Sequence, residues 1–106
     1  MSKEETKVDA LLATLWERSL PTLRERLDVL DRAAAAAASG HLTEALRTKA
    51  RSIAHKLSGS LGMFGHPRGT EIARQMEAIL SDSAPDTLTS LTVLVTELRD
   101  TLFPSE

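Results

Sequence analysis

The sequence predicts an all-α fold, an antiparallel up-and-down four-helix bundle with an additional N-terminal helix, occupying residues 1–106 as one domain. Three observations lead there. Alanine, leucine, arginine and glutamate dominate while tyrosine is absent and Trp16, Phe64 and Phe103 are the only aromatics, a balance that favours helices over sheets. Between the punctuation marks at Pro21, Ser39-Gly40, Gly65-His66-Pro67 and Ser83-Ala84-Pro85-Asp86, apolar residues recur at the three-and-four spacing of amphipathic helices. The connections between these stretches are short, which makes successive helices antiparallel neighbours.

The first stretch carries Val8, Leu11, Leu12, Leu15 and Trp16. Pro21 suits a first-turn position, so a break or kink is expected near Leu20. The segment before it either packs across one end of the bundle or extends the next helix. That second helix places Leu23, Leu27, Leu30, Ala34 and Ala37 on one stripe. Its Ala33–Ala38 run is strongly helix-forming, and the small side chains allow close approach of a neighbour. Ser39-Gly40 ends it. A third helix is expected from Leu42 to Phe64, stopped by Gly65 and Pro67. A fourth carries Ile72, Met76, Ile79 and Leu80. The last carries Leu88, Leu91, Val95, Leu98 and Leu102, with Asp86 as N-cap.

Composition excludes several functions. The absence of cysteine removes disulfides, thiolate metal sites and cysteine nucleophiles, consistent with a reducing, cytoplasmic setting. The start Met1-Ser2-Lys3-Glu4-Glu5-Thr6-Lys7 has no signal-peptide stretch; beginning at Met1, it reads as a complete or N-terminal unit. No apolar run reaches the roughly 18 residues of a membrane span. A net charge of −2 with acids and bases interspersed lacks the basic footprint of nucleic-acid binding. No carboxylate pair, nucleophile elbow or phosphate-cradling loop marks an enzyme acting alone. No two histidines have metal-ligand spacing.

The third helix carries the chemistry. At roughly 100° per residue, Leu46, Ala50, Ile53, Leu57, Leu61 and Phe64 share the core stripe. His55 lies two residues from both Ile53 and Leu57 and so points away from it. Its neighbours at one and two turns are Thr48, Arg51, Ser52, Ser58, Gly59 and Gly62. Gly59 and Gly62 each cost roughly 1 kcal/mol relative to alanine in a helix interior. Bare backbone beside a histidine fits the close approach of another protein; the plainer alternative is close packing between helices. Arg51 and Lys56 are the cations on this stretch, and no acid lies within one turn, as suits an imidazole that must accept and carry a negative group. Arg51 and Lys56 also read as an ordinary solvated face, His41 and His66 as boundary residues, and Trp16 and Phe64 as core anchors.

The stretch Ala54-His55-Lys56-Leu57-Ser58-Gly59-Ser60, closing at Phe64-Gly65, resembles the signature helix of histidine phosphotransfer (HPt) domains. In that family a histidine is followed by leucine two residues on, glycine four on, a small residue five on and a helix-closing glycine ten on. Met76-Glu77 stands where the family often has a Leu-Glu pair. The resemblance covers residues 46–80 in detail. It implies a four-helix phosphoryl carrier with His55 as the phosphorylated residue, and Arg51, Ser52, Lys56, Ser58, Gly59 and Gly62 as partner-docking or phosphoryl-supporting positions. It further implies no cofactor of its own, Mg²⁺ being supplied by the partner. The partners it implies are response-regulator receiver domains and a histidine or hybrid kinase, with no nucleic acid and no membrane. Two departures stand out. Ser58 replaces a common lysine that holds phosphoryl charge, for which Arg51 is the candidate substitute. Gly69 replaces a large apolar residue, which predicts a thin packing layer. The rival reading is a non-phosphorylated HPt-like adaptor or dimerisation bundle.

Overall fold

A computed structural model describes the backbone of residues 3–82 and 85–104, with side chains over 7–82 and 87–104. Four long helices, α1 (Lys3–Ala38), α2 (Glu44–Met63), α3 (Pro67–Asp82) and α5 (Leu91–Leu102), are joined by short connections and a single turn, α4 (Pro85–Leu88). There is no strand among the described residues. Each long helix packs on its sequence neighbour, and α5 closes the ring against α1. One cluster fills the centre, built from Leu23, Leu27, Leu30, Ala54, Leu57, Leu61, Ile72, Met76, Leu80, Leu91 and Leu98 among others. Ala33, Ala34 and Ala37 are buried in it, so the alanine run seats a neighbouring helix as its small side chains predict.

The additional N-terminal helix does not exist as a separate element. Pro21 lies inside α1, which runs unbroken through 36 residues. Proline removes one backbone donor and crowds the carbonyl four residues earlier. Here both Pro21 and Glu17 are exposed, so the carbonyl of Glu17 faces water, and packing of Leu23 and Leu27 carries the helix onward. At about 1.5 Å per residue α1 is roughly 54 Å long, matching the 52 Å long axis of the molecule. α2 is 20 residues. With Trp16 level with Phe64 at the end of α2, the first turns of α1 project beyond the bundle. Val8, Leu11 and Leu15 are consequently exposed, at 54%, 58% and 41%.

Other boundaries follow local chemistry. α1 ends with Gly40 at φ +76°, where His41 N–H donates to Ala36 C=O at 2.8 Å. α2 starts two residues later than Leu42, because Thr43 is its N-cap and accepts from Leu46 N–H at 3.1 Å. Gly65, at φ +79°, closes α2 with His66 N–H donating to Leu61 C=O at 2.9 Å. Both glycines supply the left-handed residue such helix ends need. The last helix is interrupted rather than capped at Asp86. A turn at Thr89-Ser90 separates α4 from α5, Ser90 takes the N-cap position, and its hydroxyl donates to Thr87 C=O at 2.6 Å. The Asp86 side chain and the Ser83-Ala84 part of the punctuation lie outside the described residues.

Gly69 corrects a second expectation. The layer around it is full: a Cβ built there would stand 3.0 Å from Leu61 Cδ1 and 3.4 Å from Leu102 Cδ2. Leu61 and Leu102, both buried, have closed over the position that a large residue would occupy. Gly69→Leu is therefore expected to destabilise the bundle by about 1–3 kcal/mol through overpacking, despite its better helix propensity. The midpoint of urea unfolding followed by circular dichroism reads this; an unchanged or raised midpoint would show that the layer has room to spare.

Candidate functional site

α2 is a two-sided helix. Ala50, Ile53, Ala54, Leu57 and Leu61 are buried on one side, while Arg51, Ser52, His55, Lys56, Gly59 and Gly62 are exposed on the other. The inner face packs on α3 through Ile72, Ala73, Met76 and Leu80. Ala54 and Ala73 are both completely buried, and small side chains between packed helices let the axes approach closely. This places the half-buried Glu77 of α3 beside His55.

The His55 side chain is 73% exposed. Its Nδ1 stands 3.0 Å from Glu77 Oε1 and 3.2 Å from Oε2. A carboxylate only accepts, so Nδ1 is the nitrogen that bears the proton, and the neutral ring keeps its lone pair on Nε2. Nδ1 is committed to the protein, which leaves Nε2 as the ring nitrogen with a free lone pair on an exposed side chain. No acid lies within one turn of His55 along α2, but one accompanies it in space: it comes from α3, 22 residues away. The Met76-Glu77 pair was the available signal, with Met76 buried and the next residue turned toward α2.

The glycines differ. A Cβ at Gly59 would meet nothing within 4 Å, and at Gly62 only Thr70 Oγ1 at 3.5 Å. Neither is needed for helix packing, and Gly59 leaves bare backbone one turn beyond His55. Ser58 does not replace the lysine, because its hydroxyl donates at 2.7 Å to the carbonyl of His55 itself. Arg51 makes no ion pair or hydrogen bond among the described residues. Its charge adds to the effect of the Arg47 hydrogen bond that holds the Glu44 carboxyl below its ordinary value. Lys56 is exposed.

The remaining aromatics gather mostly at the end of the bundle. Phe64 and Trp16 meet at 5.3 Å between ring centres, and His66 stacks on Trp16 at 4.5 Å. All three are half-buried at the bundle end, so Trp16 and Phe64 cap the core rather than anchor its centre. His41 Nδ1 meets the hydroxyl of Ser39 at 3.2 Å.

Comparison with known proteins identifies the family. The family model described as Hpt domain matches residues 14–102. Over 68 residues the chain is 35% identical to Protein RcaC of Microchaete diplosiphon, an alignment covering 64% of this chain and 10% of that protein. The chain thus spans only a small part of this relative's length. No solved structure gives a significant match. No helix is long and apolar enough to cross a membrane among the described residues.

The His55–Glu77 contact makes a direct prediction. At a pH where the ring is neutral, ¹⁵N-resolved spectra should show His55 protonated at Nδ1, and Glu77→Ala should shift it toward the tautomer mixture of a free imidazole. Because the His55 side of the pair is largely exposed, stability should change by no more than about 1 kcal/mol. A ring already mixed in the wild type would show that Glu77 does not set the tautomer.

Proposed function

Because the chain belongs to the Hpt domain family, we propose that it accepts a phosphoryl group on His55 and passes it to or from the aspartate of a response-regulator receiver domain in a two-component phosphorelay. The observation that carries this reading is the division of labour on the His55 ring: Nδ1 is held by Glu77 and Nε2 keeps a free lone pair. Among the described residues neither His41 nor His66 has a carboxylate partner.

The chemistry follows from that arrangement. The Nε2 lone pair attacks the phosphorus of the receiver's aspartyl phosphate, the N–P bond forms, and the P–O bond breaks to return the aspartate carboxylate. Positive charge that develops on the imidazole is shared with Nδ1–H, where the Glu77 carboxylate stabilises it. Transfer of this kind needs positioning and charge neutralisation more than covalent machinery on the carrier. Mg²⁺ and the acids that bind it are supplied by the receiver, and the module acts as a carrier. Gly59 and Gly62 let the receiver's active-site rim come close to the ring, with Lys56 and Ser52 on the same exposed face. Histidine kinases or hybrid kinases are the other partners of such a module.

Incubation with phosphorylated receiver domains tests the reading. The wild type should gain acid-labile, base-stable phosphate, and His55→Gln should gain none while its helical circular dichroism and melting temperature stay almost unchanged. A loss of several kcal/mol in stability would make His55 structural and favour a bundle that does not carry phosphate.

Gly59→Gln tests the docking face separately. It should stabilise α2 by up to about 1 kcal/mol and slow transfer from the receiver. Unimpaired transfer would remove close approach as the reason for the glycine.

A further inference from the structure

We propose that the groove on the N-terminal side of the His55 ring, lined by Thr48, Arg51 and Ser52, is an oxyanion site that holds the phosphoryl oxygens of the phosphorylated histidine. The inference rests on His55 being the phosphorylated residue and adds the groups that receive the transferred charge.

Side chains on a helix tilt toward its N-terminus, so each covers the turn before its own Cα. The His55 ring accordingly lies over the turn carrying Arg51 and Ser52, not over Ser58 and Gly59. The open space beside it follows the same direction: a groove of about 350 Å³ is lined by Thr48, Arg51, Ser52, His55 and Glu77. Around the helix, Arg51 and Ser52 flank the ring on opposite sides, at roughly 40° and 60° by helical geometry, and Thr48 closes the groove one turn further back.

The state of these three side chains sets them apart from Ser58. The Ser58 hydroxyl is spent on a backbone carbonyl of its own helix, as are those of Thr70 and Ser81. Thr48 and Ser52 make no hydrogen bond of this kind among the described residues, and Arg51 has no carboxylate partner there. Two hydroxyl-bearing residues and one guanidinium thus line a single opening beside the nucleophilic ring. Glu77 lines the same groove but is occupied at Nδ1. A phosphoryl group carrying nearly two negative charges beside a carboxylate requires a cation, and Arg51 is the one in the groove. A guanidinium also suits tetrahedral oxyanions by its fork of donors. The charge that many members of the family place one turn after the histidine stands here one turn before it.

The test uses the whole chain and no receiver, which separates the site from docking. Phosphoramidate serves as donor: Nε2 attacks its phosphorus, the N–P bond to His55 forms, and ammonia leaves. ³¹P spectra then follow build-up of phosphohistidine and titration of its phosphoryl group. In Arg51→Ala, formation should slow about tenfold and the phosphoryl titration midpoint should rise by roughly half a pH unit, the scale of an exposed ion pair. The rise follows because a cation favours the dianion. Arg51→Lys should restore most of the midpoint and part of the rate. Thr48→Val and Ser52→Ala should each slow formation roughly two- to tenfold, the effect of one hydrogen bond. Unchanged rates and midpoint in Arg51→Ala, with phosphohistidine formed, overturn the site alone. Failure of the wild type to form any phosphohistidine overturns the carrier reading and the site with it.

Discussion

The close packing of α2 on α3 is the constraint on which the rest of the molecule depends. Ala50 and Ala54 of α2 and Ala73 of α3 are wholly buried. With these small side chains in the core, the outer edges of both helices come within reach of each other. That is how Glu77, a residue of α3, holds the ring of a histidine on α2 at 3.0 Å. Arg47 fixes the same register at the other end of the helix pair, its guanidinium donating to the carbonyl of Leu80 and to the carboxylate of Glu44. A larger residue at Ala54 or Ala73 would act at the site before it acted on the surface, because it would change the spacing that the His55–Glu77 contact requires.

The surface ties between the other helices are of a different kind. Arg68 bridges α3 and α5 through Glu97 at 2.8 Å, and Arg99 pairs with Asp28 and Asp31 of α1. Such exposed pairs contribute little individually. The buried leucines and alanines set the stability, and the polar face of α2 is therefore free to serve chemistry. Gly59, where an added Cβ would meet nothing, costs helix propensity without a packing gain.

Much of this was legible along single helices. The phase of α2 alone puts His55 opposite Leu57 and Leu61, and the closing glycines Gly40 and Gly65 mark the ends of α1 and α2 because only a left-handed residue completes those turns. What the sequence did not disclose depends on pairs of helices. Glu77 is invisible as a partner of His55 until the α2–α3 register is known. Gly69 reads as a missing side chain until Leu61 and Leu102 are seen to fill its place. Pro21 marks a boundary on local grounds, yet the packing of Leu23 and Leu27 outweighs one lost hydrogen bond and keeps α1 continuous. The projecting turns with Val8, Leu11 and Leu15 could not be told from a core-facing stripe, since periodicity reports an apolar face and not what covers it.

The central claim is that one nitrogen of one histidine carries the phosphoryl group: Nε2 of His55, with Nδ1 protonated against Glu77. Correlation of ³¹P with ring ¹⁵N and ¹H in the chain phosphorylated by a receiver domain tests it most directly. The account predicts a single phosphohistidine whose phosphorus couples to Nε2 of His55, with His41 and His66 unmodified. Phosphate on Nδ1 of His55, or on either of the other histidines, would contradict it.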